Sequence, residues 1–223
     1  MPSMRFPEAV IFDLDGLMLD TERIAADAWK RVGREFGIVI SEEVVLDMIG
    51  RTGPDSDGIL IKEFGPDFPL QSIKERRLQL TDGHFVEHGI PVKAGLLGLL
   101  DYLDDKGIKK AVATSSTRER AKMKLERSGI ANRFQIVVSG DDIGRGKPEP
   151  DIYLHTARRL SVVPERCLVF EDSDAGVRAA HRAGMKVIII PDLKSPSADV
   201  VKLAFRIEPS LVHALSILPE LLD

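Results

Sequence analysis

The sequence predicts an α/β protein: a parallel sheet covered by helices, with a small all-helical segment inserted near its start. Short β-rich apolar runs recur along the chain, and from Ile108 onward they alternate with amphipathic helical stretches. Between Thr21 and about His88, by contrast, the patterning is helical and no convincing strand occurs. A chain of 223 residues can bury a sizeable core as one large domain or as a domain carrying an insertion.

The first run, AVIF at Ala9–Phe12, is apolar at every position, as in a strand buried on both faces. The insertion follows. Ile24, Ala28, Val32 and Phe36 fall on one helical face, with Gly37 placed to end that helix. The chain returns through HGIPVKAG, where Gly89 and Pro91 break helical structure. Strands are then expected at KAVAT (110–114), QIVVS (135–139), CLVF (167–170) and VIII (187–190). The helices between them are expected at 117–128, 150–160 and 173–183, the last two ending near Ser161 and Gly184.

Composition narrows the function. With 43% hydrophobic and 30% charged residues and a formal charge of −4, the chain offers no electrostatic footprint for nucleic acid or an anionic membrane. Small molecules are the expected partners. The single cysteine, Cys167, lies in an apolar run and is expected to be a core residue. No run approaches the ~20 apolar residues of a membrane span, and Asp13 and Asp15 interrupt the first apolar stretch too early for a signal peptide. A cytoplasmic location is therefore expected. Nothing in the sequence defines an oligomeric state, and a monomer is compatible with it.

In open α/β sheets the ligand crevice lies at the carboxyl ends of the strands. Here those ends carry Asp13 and Asp15, then Thr114, Ser115 and Ser116, then Glu171, Asp172 and Ser173, with Lys147 in the loop GRGKPEPD. Acidic groups gathered at one edge repel one another unless a hard cation sits among them, and Mg²⁺ takes such oxygen ligands while keeping several waters. A divalent cation, a fixed lysine and hydroxyl donors around one point suit a phosphoryl group. Two aspartates two apart on extended chain project to one side. Asp13 can then attack phosphorus to form an aspartyl-phosphate, while Asp15 protonates the leaving oxygen and later activates water. Gly16 lets the backbone turn away beside the metal.

DLDGLMLD, ATSS, GKPEPD and FEDSDAGVRAA occur in the order and approximate spacing of the four motifs of the haloacid dehalogenase-like hydrolase superfamily, which this chain resembles over nearly its whole length. The DGLMLDTE continuation and the helical insertion resemble the branch with small α-helical caps, which contains sugar-phosphate phosphatases and β-phosphoglucomutase. The resemblance implies a Rossmann-like core at 1–20 and 89–223 and an α-helical cap at 21–88. It implies Asp13 as nucleophile, Asp15 as acid and base, and Thr114 and Lys147 as phosphate ligands, with Ser115 beside them. Mg²⁺ would be held by Asp13, the backbone carbonyl of Asp15 and Asp172, with Glu171 acting through water or an intervening group.

The expected function is a Mg²⁺-dependent phosphatase for a small phosphorylated metabolite, a sugar or polyol phosphate. A mutase of the β-phosphoglucomutase type is the alternative, but the cap histidine of those enzymes is replaced here by Ala25. The nearest equivalent of their cap lysine is Arg76, and Arg51 is a second candidate for substrate contact. A non-enzymatic receiver-like phospho-acceptor is the alternative of another class, disfavoured by chain length and motif order. HFVEH, at 84–88, fits a zinc-protease pattern by letters but abuts a helix break with no third ligand evident, and is expected to be a solvated helix end.

Overall fold

The computed structural model describes residues 7–49 and 53–222. In chain order the elements are β1 (Ala9–Phe12), α1 (Thr21–Glu35), α2 (Glu42–Met48), α3 (Gly53–Phe64), α4 (Leu70–His88), α5 (Leu96–Asp105), β2 (Lys109–Ala113), α6 (Arg118–Arg127) and β3 (Ile136–Val138). They continue with α7 (Asp151–Leu160), β4 (Cys167–Glu171), α8 (Asp174–Arg182), β5 (Lys186–Ile189), α9 (Ala198–Val201), β6 (Arg206–Ile207) and α10 (Leu211–Leu222). The strands form one parallel sheet in the order β3-β2-β1-β4-β5-β6. This is the α/β Rossmann-like arrangement. The two-residue edge strand β6 carries no periodicity long enough to announce it.

Alternation along each strand divides the core between the two sheet faces. Val10, Phe12, Val112, Leu168 and Phe170 pack beneath α5, α6 and α10, where Phe12 and Phe170 stack with ring centroids 5.4 Å apart. Ala9, Ile11, Ala111, Val169 and Val187 face α7, α8 and α9. Removing a ring such as Phe12 from this packing costs about 3–5 kcal/mol.

Helices α1 to α4 lie between β1 and β2 and share a smaller core of their own, including Val32, Val45, Leu60 and Ile73. Ser41 caps α2 by accepting the Val44 N–H at 3.2 Å, and Gly37, at φ 70°, follows the end of α1. The chain segments leading into and out of these helices pair with each other: Asp20 N–H donates to Pro91 O at 2.9 Å, and Lys93 N–H to Met18 O at 2.9 Å. Lys93 Nζ ties both to the sheet through Asp192 at 2.6 Å and Asp20 at 3.1 Å. Among the described residues no helix is long and apolar enough to cross a membrane.

Candidate active site

Register brings the polar residues together. Phe12 sits level with Val112 of β2 and Phe170 of β4, so Asp13 emerges between the ends of both neighbours. The strand order reverses between β1 and β4, which is where open α/β sheets leave a crevice. A cavity of about 630 Å³ opens there, floored by Asp13, Asp15, Thr114, Lys147 and Asp172 and roofed by residues of α1, α3 and α4.

Lys147 is buried and spends its three N–H bonds on Asp13 Oδ1 at 2.5 Å, Glu171 Oε1 at 2.6 Å and Ala113 O at 3.1 Å. It therefore joins the ends of β1, β2 and β4. A phosphoryl oxygen can reach it by displacing one of these acceptors. Tyr153 supports the cluster from α7, donating its hydroxyl to Glu171 Oε1 at 2.8 Å.

Of the two expectations for Glu171, water or an intervening group, its contacts are with intervening groups. It is fully buried, and its second oxygen accepts from Asp172 N–H, Ser173 N–H and Ser173 Oγ, each at 3.0 Å. Both oxygens are thus used to shape the loop and hold Lys147. A Cβ at Gly176 would overlap this carboxylate, so α8 can approach it only with glycine there.

Asp15 has a separate set of partners. Its Oδ1 accepts from Thr21 Oγ1 at 2.6 Å and Lys124 Nζ at 2.6 Å, and its Oδ2 from Ser116 Oγ at 2.8 Å and Lys124 Nζ at 2.8 Å. These donors hold the side chain off a metal and leave its backbone carbonyl as the expected metal donor, while release of the Thr21 bond would free Oδ1 to carry a proton. Thr114 is buried at the cavity floor, with Oγ1 accepting the Ser116 N–H at 3.1 Å; Ser115 is exposed in the cavity.

The electrostatics separate the two aspartates. Burial pushes Asp13 up to about 7, against the opposing pull of Lys147. Burial acts on Asp15 too, but the Lys124 charge and the bonds from Lys124, Thr21 and Ser116 outweigh it and hold that carboxyl below its usual range. Asp172 is raised well above a normal carboxyl by burial and by the neighbouring charges of Glu171, Asp13 and Glu22.

Do these residues suit Mg²⁺? Among the described residues no cluster of three or more His, Cys, Asp or Glu side chains is arranged as a metal cage. Mg²⁺ does not require one, since it binds through one or two carboxylates and keeps waters. Asp172 receives no hydrogen bond on its carboxylate from any described residue, and it lies so close over Gly16 that a Cβ there would overlap it. A raised carboxyl without donors, beside an Asp13 that is also raised, is a pair that a hard cation would satisfy. The donor set fits.

The roof corrects one expectation. Arg76 does not line the cavity; it lies outside, paired with Glu35 at 2.7 Å. Its neighbour Arg77 lines it instead, with its guanidinium 5.2 Å from the Trp29 ring centroid and a buried Nε that has no hydrogen-bond partner among the described residues. Arg51 lies outside the described residues. Lys74, held by Asp57 at 2.7 Å, and Ala25 also face the cavity. At the end of α4, His84 and His88 touch ring to ring, and no metal cluster forms there among the described residues.

Lys124, Thr21, Tyr153 and Arg77 had no assigned role from sequence. Thr21 alone carried a signal, directly after the conspicuous LMLD stretch.

Comparison with known proteins places this geometry. The family model described as haloacid dehalogenase-like hydrolase matches residues 10–190. A phosphorylated carbohydrates phosphatase of Thermotoga maritima is 36% identical over 181 residues, 81% of this chain and 83% of that protein. The crystal structure of a HAD family hydrolase from Deinococcus radiodurans, with bound phosphate and sodium, matches with a TM-score of 0.81 at 28% identity, covering 98% of this chain and 97% of that one. CbbY from Rhodobacter sphaeroides in complex with phosphate matches with a TM-score of 0.75 at 26% identity, covering 94% and 96%.

Proposed function

The chain belongs to the haloacid dehalogenase-like hydrolases, and from that premise we propose that it is a Mg²⁺-dependent phosphatase acting on a small phosphorylated metabolite, with a sugar or polyol as leaving group. One observation carries the reading. Asp13 and Asp15, two residues apart, each meet a buried lysine at the floor of the cavity. The named relative that acts on phosphorylated carbohydrates supports the substrate class.

In the proposed reaction an Asp13 oxygen attacks phosphorus, the bond from phosphorus to the ester oxygen breaks, and that oxygen takes the proton of Asp15. Water then gives a proton back to Asp15 while its oxygen attacks phosphorus, and the bond to Asp13 breaks to release phosphate. Lys147 and Thr114 hold the phosphoryl oxygens through both displacements. Mg²⁺, when held by Asp13, Asp172 and the Asp15 carbonyl, supplies the positive charge that keeps Asp13 ionised and neutralises the phosphoryl group. The roof residues Arg77, Lys74 and Trp29 would meet the leaving group, and residues 21–88 would act as a cap over the core formed by 1–20 and 89–223.

Transfer to a second sugar oxygen instead of water would need the intermediate to be shielded from hydrolysis. Ala25, facing the cavity, offers no hydrogen bond for that purpose, so hydrolysis is the outcome proposed. The test is a screen of phosphorylated sugars, polyols and nucleotides with Mg²⁺ or with excess chelator, following free phosphate. Metal-dependent release from a sugar or polyol phosphate is expected. Release that survives the chelator, or conversion of β-glucose 1-phosphate to glucose 6-phosphate with little free phosphate, would overturn the proposal.

A further inference from the structure

Lys124 interrupts a buried stripe. On α6 it shares a face with Ala121 and Leu125, both buried, and is itself only 6% exposed. A lysine there carries a large desolvation cost unless its charge is paired and its donors are satisfied. The compensation is specific: the ammonium straddles both oxygens of Asp15 at 2.6 and 2.8 Å and meets Ser116 Oγ at 3.0 Å. An ammonium has three N–H bonds, and these contacts use all three. Ser116 closes the ring by donating its hydroxyl to Asp15 Oδ2 at 2.8 Å.

The partners come from different places. Ser116 and Lys124 belong to the core beside β2, whereas Thr21, the remaining donor on Asp15, opens the first helix of the insertion. Motion of the insertion can carry Thr21 away, but Lys124 and Ser116 stay with the sheet. The arrangement parallels Lys147 on Asp13, with one buried lysine for each aspartate.

We propose that Lys124 is the positioning residue of the acid and base Asp15, fixing the direction in which that carboxyl faces the leaving oxygen without itself touching substrate. This rests on the phosphatase reading above and adds a residue to it. Proton donation matters more as the leaving group becomes more basic, so a misdirected Asp15 should penalise a basic leaving group selectively. The kcat/KM value isolates the first displacement, in which that proton is delivered.

The probes are phenyl phosphate and 4-nitrophenyl phosphate with Mg²⁺, measured on the whole chain. Lys124→Met should lower kcat/KM for phenyl phosphate by about tenfold or more while leaving that for 4-nitrophenyl phosphate within about threefold. Lys124→Arg, which keeps the charge and can fork onto both oxygens, should restore the phenyl phosphate value to within about threefold. Should Lys124→Met not fold, Lys124→Gln carries the same test of the ratio. Equal losses on the two esters, as for a phosphate ligand or a purely structural residue, or no loss on either, would overturn the assignment. A wild-type chain that hydrolyses neither these esters nor any phosphate of the screen above would sink the phosphatase reading as well, whereas normal wild-type turnover with equal losses removes only the role of Lys124.

Discussion

The sheet edge and the helical roof face the same cavity, yet they hold their side chains by different means. On the sheet side each polar group is fixed by strand register and by several buried partners: Lys147 alone joins three strand ends, and Glu171 has both oxygens occupied. On the roof, α1 to α4 share a smaller core, and their cavity-facing groups have looser attachments. Lys74 has its Asp57 partner on the same roof, and Arg77 lies over Trp29 with a buried N–H that has no partner among the described residues. The difference suits the two sides to different tasks in the proposed reaction. Reaction geometry needs preorganised groups, while recognition of a leaving group can use groups that complete their hydrogen bonds only when substrate arrives.

The comparison breaks first if the sheet edge can be altered without loss. Asp13→Asn should reduce turnover by about 10³-fold or more for every substrate, since the covalent step loses its nucleophile. Asp15→Asn should lose as much with a sugar phosphate, yet label from an activated aryl phosphate should remain on the protein because release by water fails. Acid-quench measurement of protein-bound phosphate distinguishes the two variants, and near wild-type turnover in Asp13→Asn would refute the mechanism.

Next is the metal. Asp172→Ala removes a carboxylate from a weakly held hard ion, and the Mg²⁺ concentration giving half-maximal activity should rise by about 10-fold to 100-fold. An unchanged metal titration would show that Asp172 is not a ligand.

The roof should respond differently, with selectivity changing more than chemistry. Arg77→Ala should raise KM for the best sugar or polyol phosphate by about tenfold, about 1.4 kcal/mol, with kcat within about threefold. Arg76→Ala, which only breaks an exposed pair with Glu35, should leave KM within about twofold. Steady-state kinetics on both variants checks the pair, and reversed effects would restore Arg76 as the substrate contact.

The smallest effect concerns the metal-free chain. Asp13 and Glu22, each pushed up to about 7 chiefly by burial, keep their protons in the folded chain over a range where the unfolded chain has lost its own. The folded state then binds more protons, so stability must fall as pH rises from about 4 to about 7. Asp15 and Glu171, held below their usual range, act in the opposite sense only in more acid solution. Thermal unfolding should show a lower Tm at about pH 8 than at about pH 5 without metal, with the gap narrowed by Mg²⁺. A Tm that rises over this interval would contradict the proton balance.

Much of the sheet side was legible in the sequence, because its signals are local. A fully apolar four-residue run followed by Asp13, Asp15 and Gly16 specifies a buried strand with its polar residues at the exit. Gly37 and Gly89 marked helix ends for the same reason, since the left-handed backbone found there at φ 70° and 76° favours glycine whatever surrounds it. Such features depend on neighbours a few residues away.

What the tertiary structure alone decided depends on distant neighbours. Asp15 and Lys124 are 109 residues apart, and a lysine within a basic helix carries no mark of the carboxylate that packing will bring to it. Tyr153 gained its role only when α7 packed it against the end of β4. Arg76 and Arg77 have the same side chain on the same helix, but consecutive residues point about 100° apart. Packing of α4 against α1 turns Arg77 to Trp29 and the cavity and leaves Arg76 with Glu35 outside. The sequence determined which chemistry gathers at the strand ends; only the packing of helices onto that edge decided which cations meet it.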